Sequence, residues 1–316
     1  MKENHFDTII IGAGPAGLSA GIYASRAKLK TLILNEGTIG GQLVLTHEIA
    51  NYPGVKNTSG YMLGNTMKEQ AESFGCKMRA NLRITQMDLN EKIKRIEVNG
   101  LDEYTCDTII LAPGGKSRSL GVPGEEEFKG KGISYCATCD GDFFQDKEII
   151  VVGGGNSALE EAVSLTKYAH RVTVVHQFDH FQAFPHEVEE ARQNNKIDFV
   201  MGSRIVEFSG EEKLQRVQIE NLDTGEITHR NIDGVFIFIG YMPNTAFLDG
   251  KVELNEWGEI SVNNMLKTSV DGVYAAGDCI PKKFRQVTTA VADGTIAALG
   301  VADFIHKHKD EEVLEM

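Results

Sequence analysis

A glycine-rich pattern that occurs twice, 141 residues apart, constrains this chain more than any other feature. In the first copy, an apolar run of strand length over 6–11 precedes GAGPAG at 12–17 and a helical pattern over 18–27. In the second copy, the strand-like run 148–152 precedes GGGNSA at 153–158. Such β-α-β units bind dinucleotides, because the glycines admit a pyrophosphate and the helix N-terminus attracts its charge. The sequence therefore predicts an α/β fold with two Rossmann-like (three-layer ββα) dinucleotide-binding domains.

The order of the segments predicts that the second domain is inserted in the first. Each β-α-β pattern is followed by a strand-rich meander, over 93–111 and over 214–239. The segment 114–132 is rich in glycine, serine and charge, as expected of a domain crossing, and 247–254 is predicted to be the return. We therefore predict a discontinuous dinucleotide-binding domain and an insert, with these bounds: 1–115 and 247–316 for the former, and 116–246 for the latter.

Charge and composition exclude several classes of protein. The 316 residues carry a formal net charge of −13, which argues against a nucleic-acid-binding surface. No unbroken run of about 18 apolar residues occurs, so no membrane-spanning helix is expected. The five cysteines are odd in number, and the first residues lack the features of a signal peptide. These features predict a cytoplasmic protein rather than a secreted disulfide scaffold.

The residues that select a ribose differ between the two copies. Glu36 lies 24 residues after Gly12, where a carboxylate accepts hydrogen bonds from ribose hydroxyls. The corresponding residue 141 positions later is Gln177, within HQFDHFQ at 176–182. A site for NADH favours an acid here and a site for NADPH favours an arginine, yet Asp179 comes two residues late and Arg171 begins the strand at its far end.

A Cys-x-x-Cys motif, Cys136 to Cys139 with Asp140 next to it, is the main candidate for redox chemistry. The short spacing suits a disulfide that opens and closes with little backbone motion, and the adjacent carboxyl can exchange a proton with a thiolate. Half of a zinc site and a coincidence are the alternatives. A structural zinc site needs two further ligands, and the chain has no second Cys-x-x-Cys. We therefore predict no metal.

Over nearly its full length the sequence resembles the low-molecular-weight thioredoxin reductases. The resemblance depends on an ordered set of motifs: GAGPAG at 12–17, GGQL at 40–43, NYPG at 51–54, CATCDG at 136–141, GGGNSALEEA at 153–162, residues 240–245, and AAGDC at 275–279 with Arg285-Gln286.

The resemblance implies a homodimeric flavoenzyme that contains FAD and reduces a thioredoxin-like protein. It implies that Cys139 faces the flavin and receives electrons, that Cys136 attacks the substrate disulfide, and that Asp140 supplies a proton. For Gln42 and Asn51, ordinary turn chemistry is the alternative. The implied cofactor-binding residues lie along the adenosine and pyrophosphate (Gly12, Gly14, Ala16, Gly17, Glu36) and along the ribityl chain and flavin (Gly41, Gln42, Asn51, Gly277, Asp278, Arg285, Gln286).

One departure from the family bears on the electron donor. Where the family usually has His-Arg-Arg and a third arginine, this chain has His176, Gln177, Phe178 and then Gln182. Losing charge-assisted hydrogen bonds of about 1.5–3 kcal/mol each would weaken NADPH binding by orders of magnitude. The sequence therefore predicts a donor other than NADPH, either ferredoxin or a second bound flavin. An NAD(P)H-dependent thioredoxin-disulfide reductase is the alternative.

Two surfaces are candidates for serving such a donor. Phe178, Phe181 and Phe184 recur every three residues and form either a stacking surface for a second flavin or part of the core. Residues 282–285, with Lys282, Lys283 and Arg285, form either a basic docking site for an acidic electron carrier or a solvated loop. A ferredoxin–NADP reductase and a non-catalytic flavoprotein remain as further classes, against both of which the Cys-x-x-Cys argues.

Overall fold

The computed structural model describes residues 4–46 and 49–314, which form two compact units. Unit 1 comprises Met1–Lys116 and Met242–Met316, and unit 2 comprises Ser117–Tyr241. Because unit 2 interrupts unit 1 in sequence, and because each is built on a β-α-β element with a parallel sheet, the predicted α/β class with two Rossmann-like domains is confirmed.

The strands are numbered along the chain. They are β1 (His5–Ile11), β2 (Thr31–Leu34), β3 (Lys77–Arg79), β4 (Ile84–Asp88), β5 (Lys94–Val98), β6 (Asp102–Leu111), β7 (Gly115–Ser117), β8 (Ile133–Ser134), β9 (Glu148–Val152), β10 (Arg171–Val175), β11 (Ile197–Val200), β12 (Ser203–Gly210), β13 (Leu214–Asn221), β14 (Ile227–Asn231), β15 (Gly234–Ile237), β16 (Tyr241–Pro243) and β17 (Val273–Ala275).

The helices are numbered in the same way. They are α1 (Pro15–Arg26), α2 (Gly60–Ser73), α3 (Glu125–Phe128), α4 (Ala137–Asp140), α5 (Asn156–Leu165), α6 (Pro185–Gln193) and α7 (Val287–Leu314), with 3₁₀ turns at Gly41–Leu45, Gly141–Phe144 and Ala246–Leu248.

In unit 1, the long strand β6 joins a parallel sheet to an antiparallel meander. The order of the strands in the sheet is β3-β2-β1-β6-β5-β4, and β17 also pairs with β6. The first half of β6 pairs with β5 in antiparallel register, with Lys94 opposite Cys106, and its second half pairs with β17 in parallel register, with Val273 opposite Ile109. One strand thus supports both the meander and the segment that follows β17, where Gly277 and Asp278 lie.

In unit 2, the parallel sheet β11-β10-β9-β15-β8 is covered on both faces. Along β9 the side chains alternate: Ile149 and Val151 pack with α5 in one apolar cluster, whereas Ile150 and Val152 pack with the antiparallel strands β12 and β13 in another. A strand buried on both faces favours apolar residues at successive positions, which explains the apolar run over 149–152 in β9.

The two glycine turns have the same local geometry. Gly12 has φ +107° and Gly153 has φ +135°, a region that favours glycine. A Cβ on Gly12 would lie 2.1 Å from the carbonyl oxygen of Ala112, and one on Gly153 would lie 2.3 Å from that of Phe238. In both units the turn is therefore pressed against the backbone directly after the last strand of the meander.

Helix α7 is the described helix that bears on the expected absence of a membrane span. Its stretch Val287–His308 is long and apolar enough to cross a membrane by length and composition, although no unbroken apolar run exists because Asp293 and Asp303 interrupt it. Core helices of globular folds share this length and composition. Helix α7 packs along α1, and Ala297, Val301 and Ile305 belong to the core of unit 1.

Candidate functional site

Unit 1 contains a cradle around the N-terminus of α1. A Cβ on Gly17 would lie 1.9 Å from the carbonyl oxygen of Gly12, so helix and turn approach at van der Waals limits. Ala16 is buried, and its methyl group lies 2.8 Å from where a Cβ on Gly277 would stand. A Cβ on Gly14 would meet no atom within 4 Å, so the space beside this backbone is open. These are the close approaches and the opening that a pyrophosphate requires.

Two polar residues follow β2 at the edge of this cradle. The Asn35 side-chain oxygen accepts a hydrogen bond from the backbone N–H of Ala13 at 2.9 Å, which ties the strand end to the glycine turn. Glu36 is exposed, and its Oε1 accepts a hydrogen bond from the backbone N–H of Ile84 at 2.9 Å. The sequence predicted Glu36 but missed Asn35, whose only signal is an asparagine at a strand end.

Asp278 has a buried carboxylate oxygen that is suited to accept a hydrogen bond from a ligand. Its Oδ1 is buried and has no hydrogen-bond partner among the described residues. Burial raises the pKa of this carboxyl, while Lys282 and Arg285 lower it and Asp293 raises it. A buried acceptor without a donor is costly, and a bound hydroxyl group would satisfy it. The residues of unit 1 thus fit a dinucleotide with a polyhydroxyl chain.

Three further residues predicted to bind the cofactor are Asn51, Gln286 and Gln42, all in unit 1. Asn51 Nδ2 is 3.5 Å from Gln286 Oε1, so these two side chains come together although 235 residues separate them. Gln286 lies just before α7, and its backbone N–H donates to Thr289 Oγ1 at 3.1 Å. Gln42 is exposed in the 3₁₀ turn that begins at Gly41.

The basic segment 282–285 is largely neutralised by acids. Lys282 forms an ion pair with Asp293, and Arg285 forms one with Glu259. Both acids are distant enough in sequence that composition of the loop did not reveal them. Two of the three cations expected to dock an acidic electron carrier are therefore paired within unit 1.

In unit 2, Cys136 and Cys139 form a disulfide, which confirms the predicted redox pair and removes the half zinc site as an interpretation. Cys136 precedes the short helix α4, and its Sγ accepts a hydrogen bond from the backbone N–H of Cys139 at 3.2 Å. Cys76, Cys106 and Cys279 are buried free thiols. Burial raises the pKa of Cys76 and of Cys279 to about 12, so these thiols are poor nucleophiles.

Asp140 ends α4 in a partly buried position. Burial raises the pKa of its carboxyl, a hydrogen bond from Ser134 lowers it, and the carboxylate of Asp142 raises it. The Ser134 hydroxyl donates to Asp140 Oδ2 at 2.6 Å. A carboxyl whose pKa is raised holds its proton closer to neutral pH, which suits proton exchange with a thiolate.

A buried carboxylate that the sequence did not predict anchors the residue before Cys136. Glu125 is 2% exposed, and its Oε1 accepts hydrogen bonds from the Tyr135 hydroxyl at 2.7 Å and from the Leu120 backbone at 2.9 Å. Its Oε2 accepts from the Gly121 backbone at 2.7 Å. Glu125 thus joins the loop that opens unit 2 to the redox segment.

We expect Glu125→Ala to destabilise unit 2 by about 3 kcal/mol, because it leaves two backbone donors and the Tyr135 hydroxyl without their acceptor. Chemical denaturation monitored by circular dichroism would measure the loss. Glu126→Ala, on the exposed side of the same helix, is the matched control and should change stability by less than about 0.5 kcal/mol. Equal effects of both substitutions would contradict the role of Glu125.

The segment after β10 folds back onto the second glycine turn. The Gln182 backbone N–H donates to the Gly154 carbonyl at 2.8 Å, and the Phe184 backbone N–H donates to Asn156 Oδ1 at 2.7 Å. His176 is buried, and a Cβ on Gly154 would lie 2.4 Å from its ring. The second glycine of GGG, Gly154, is therefore needed to seat His176.

The aromatic residues of this segment divide between core and surface. Phe181 packs against the apolar cluster around α5, whereas Phe178 and Phe184 are exposed and stack on His180 and His186. Phe181 therefore fits the core interpretation, and the row of three does not form one continuous surface.

Two arginines of unit 2 lie closest in sequence to the segment in which the arginine clamp is missing, Arg171 before it and Arg192 after it. Arg171 forms an ion pair with Asp198 at the start of β10, the end opposite this segment. Arg192, which the sequence did not indicate, places its guanidinium 5.9 Å from the centroid of the Phe181 ring.

Comparisons with known proteins agree on the family to which the chain is similar. The sequence profile of the pyridine nucleotide-disulphide oxidoreductase family matches residues 6–294. A thioredoxin reductase of Peptoclostridium litorale is 45% identical over 312 residues, which cover 96% of this chain and 98% of that protein.

Two solved structures are also similar. The crystal structure of thioredoxin reductase from Streptococcus pyogenes MGAS5005 has a TM-score of 0.92 and 40% identity, covering 97% of this chain and 100% of that one. A ferredoxin-flavin thioredoxin reductase from Clostridium acetobutylicum has a TM-score of 0.51 and 28% identity, covering 96% of this chain and 99% of that one.

Proposed function

This chain belongs to the low-molecular-weight thioredoxin reductases of the pyridine nucleotide-disulphide oxidoreductase family, and we propose that it reduces the disulfide of a thioredoxin-like protein with electrons from a reduced nicotinamide dinucleotide. The observation that carries the proposal is the Cys136–Cys139 disulfide beside Asp140, in a chain 45% identical to a thioredoxin reductase. The homodimer and the cytoplasmic location expected from the sequence stay predictions.

FAD is the cofactor of the family, and the cradle of unit 1 fits it. Gly12, Gly14 and Gly17 would admit its pyrophosphate, Glu36 would accept from a ribose hydroxyl, and the unpartnered oxygen of Asp278 would accept from the ribityl chain. When bound, FAD supplies the two electrons that open the disulfide. The side chains of Asn51 and Gln286, which meet in unit 1, would orient it.

The redox segment would then act by thiol–disulfide exchange. Two electrons and one proton convert the Cys136–Cys139 bond to a Cys136 thiol and a Cys139 thiolate, and Asp140 takes the Cys136 proton and later returns it. The Cys136 thiolate attacks the partner's disulfide and forms a mixed disulfide, and the partner's leaving thiolate is protonated. The Cys139 thiolate next attacks Cys136 Sγ, which restores the intramolecular disulfide and expels the partner's second sulfur as a thiolate, and a proton from solvent completes the dithiol.

The comparisons favour a nicotinamide donor over ferredoxin or a second flavin, because the relatives from Peptoclostridium litorale and Streptococcus pyogenes, at 45% and 40% identity, bear the plain name thioredoxin reductase. Unit 2 also retains a complete glycine turn, with open space beside Gly155 as there is beside Gly14. No arginine or lysine lies within the described segment 176–182, so the segment offers no guanidinium or ammonium group to a 2′-phosphate. We therefore propose that NADH is preferred to NADPH.

Reduced ferredoxin is the second candidate donor. The absent guanidinium clamp and the likeness to a ferredoxin-flavin thioredoxin reductase support it. The ion pairs that neutralise Lys282 and Arg285 weaken the case for a basic docking loop.

An anaerobic reduction experiment would separate the donors. FAD-loaded protein is mixed with NADH, NADPH or reduced ferredoxin, flavin absorbance is followed, and thioredoxin reduction is then measured. We expect bleaching by NADH at a concentration at least about tenfold lower than by NADPH. Reduction by ferredoxin alone would contradict the nicotinamide proposal, and equal use of both nucleotides would contradict the preference.

Gly155→Ala adds a single methyl group and tests whether a nucleotide binds at the glycine turn of unit 2. Gly155 has φ −90°, which alanine adopts, and its added Cβ would meet no protein atom within 4 Å. Gly155→Ala should therefore fold normally, yet place a methyl group where a pyrophosphate would lie, and raise the KM for NADH by about tenfold. A ferredoxin-dependent enzyme would be insensitive to this change.

A further inference from the structure

Ser134 lies at the centre of the redox segment and has no role in the reaction described above. It ends the short strand β8, where it pairs in parallel register with Phe236 of β15, and it is 5% exposed. The strand is thus held by the central sheet of unit 2, and the position of the Ser134 side chain is set by that sheet rather than by the exposed loop.

One hydroxyl group connects the acid to the nucleophile. Ser134 Oγ donates to Asp140 Oδ2 at 2.6 Å and accepts from the backbone N–H of Cys136 at 3.1 Å. It also lies 3.3 Å from the Cys136 carbonyl oxygen, whereas the Asp140 backbone N–H donates to that same oxygen at 3.2 Å. Cys136 and Asp140 are therefore tied to one side chain and to each other.

We propose that Ser134 is a positioning residue for proton exchange between Asp140 and the redox cysteines, an inference that rests on the proposed function. Its hydroxyl fixes Asp140 Oδ2, which leaves Oδ1 as the oxygen that carries the proton. It also favours the carboxylate form, so that Asp140 can accept a proton as well as donate one.

The charged groups around Asp140 show why a hydrogen bond from an uncharged hydroxyl group matters. Asp142, in the 3₁₀ turn that follows, disfavours the carboxylate form. Helix α5, which packs against α4, contributes the acids Glu160 and Glu161, and neither is among the charges that shift the Asp140 pKa. Because no cation among the described residues shifts this pKa, the Ser134 hydrogen bond is what opposes burial.

The direct test is to titrate Asp140 itself. Protein labelled with ¹³C at the aspartate carboxyls is titrated by NMR, and Asp140→Asn identifies the resonance. Ser134→Ala should move the midpoint upward by about one pH unit, since it removes a hydrogen bond to the charged form. Ser134→Thr keeps a hydroxyl and should restore most of the shift.

A buried serine elsewhere in unit 2 serves as the matched control. Ser203 is 3% exposed and donates to the Met201 carbonyl at 3.0 Å, so Ser203→Ala removes a similar group without touching Asp140. It should leave the Asp140 midpoint unchanged. An unchanged midpoint in Ser134→Ala, or an equal change in Ser203→Ala, would overturn the inference.

The pH dependence of thioredoxin reduction is the second readout. In Ser134→Ala we expect its midpoint to move upward together with the NMR midpoint, and to return in Ser134→Thr. A moved NMR midpoint with an unmoved activity profile would overturn the link to proton exchange. Failure of the proposed function would be seen separately, as an inability of the unsubstituted protein to reduce thioredoxin with any donor.

Discussion

Replacing Cys139 with serine is expected to lower thioredoxin reduction by about 10³-fold or more while the bound flavin is still reduced by its donor. A serine hydroxyl forms no disulfide, so the Cys136–Cys139 bond cannot be made or opened. Electrons would then enter the protein but find no path to the substrate. Stopped-flow flavin absorbance and steady-state thioredoxin reduction, measured on the same preparation, would separate the two half-reactions.

Cys76→Ala is the control for this experiment. Cys76 is a buried free thiol in unit 1, and burial raises its pKa to about 12, so it should contribute nothing to electron transfer. Its loss should cost about 1 kcal/mol of stability and leave turnover intact. Normal turnover by Cys139→Ser would refute the electron path, and a loss of flavin reduction would show that the substitution acts on folding or cofactor binding.

The fold could be predicted from the sequence because its strongest signals are local. The apolar run 149–152 covers all of β9 except its first residue, since a strand buried on both faces favours apolar side chains at successive positions. Gly12 and Gly153 mark the turns, because their backbone conformation and close approaches admit no side chain. The repeat at 141 residues then assigns both units at once.

Elements with weaker apolar patterns were missed. Strand β4 (Ile84–Asp88) buries only Met87, and β12 (Ser203–Gly210) has a bulge that breaks its alternation. Strand β6 lies within the predicted meander, and it continues through the buried Cys106 because β1 pairs along most of its length. Pairing with neighbours, not local propensity, decides such strands.

In the candidate sites, residue types could be predicted but their partners could not. The sequence indicates Asp140 and Asp278, yet the groups that set their pKa values include Ser134 for one and Lys282 and Arg285 for the other. Glu125 resembled any acid in a charged stretch until the fold brought Tyr135 and the Leu120–Gly121 backbone to it. Hydrogen bonds between separate segments leave no pattern in a single sequence.

Installing two arginines in the segment after β10 is expected to raise the affinity for NADPH by about 10²-fold. Gln177 and Gln182 are exposed, and they occupy two of the three positions at which the family usually has arginine. Two new charge-assisted hydrogen bonds of about 1.5 kcal/mol each to the 2′-phosphate amount to about 3 kcal/mol. Because NADH lacks this phosphate, its affinity should change little.

A double variant with uncharged side chains of similar length is the control for the two arginines. Gln177→Met with Gln182→Met keeps the side-chain length without charge, while Phe178, whose ring contacts His176, is left in place in both double variants. Fluorescence titration would measure the affinity for both nucleotides. An equal gain for NADH and NADPH would indicate a general effect of charge rather than recognition of the 2′-phosphate. No gain with either nucleotide would mean that the segment does not contact the donor, and it would favour the ferredoxin-dependent alternative over the nicotinamide one.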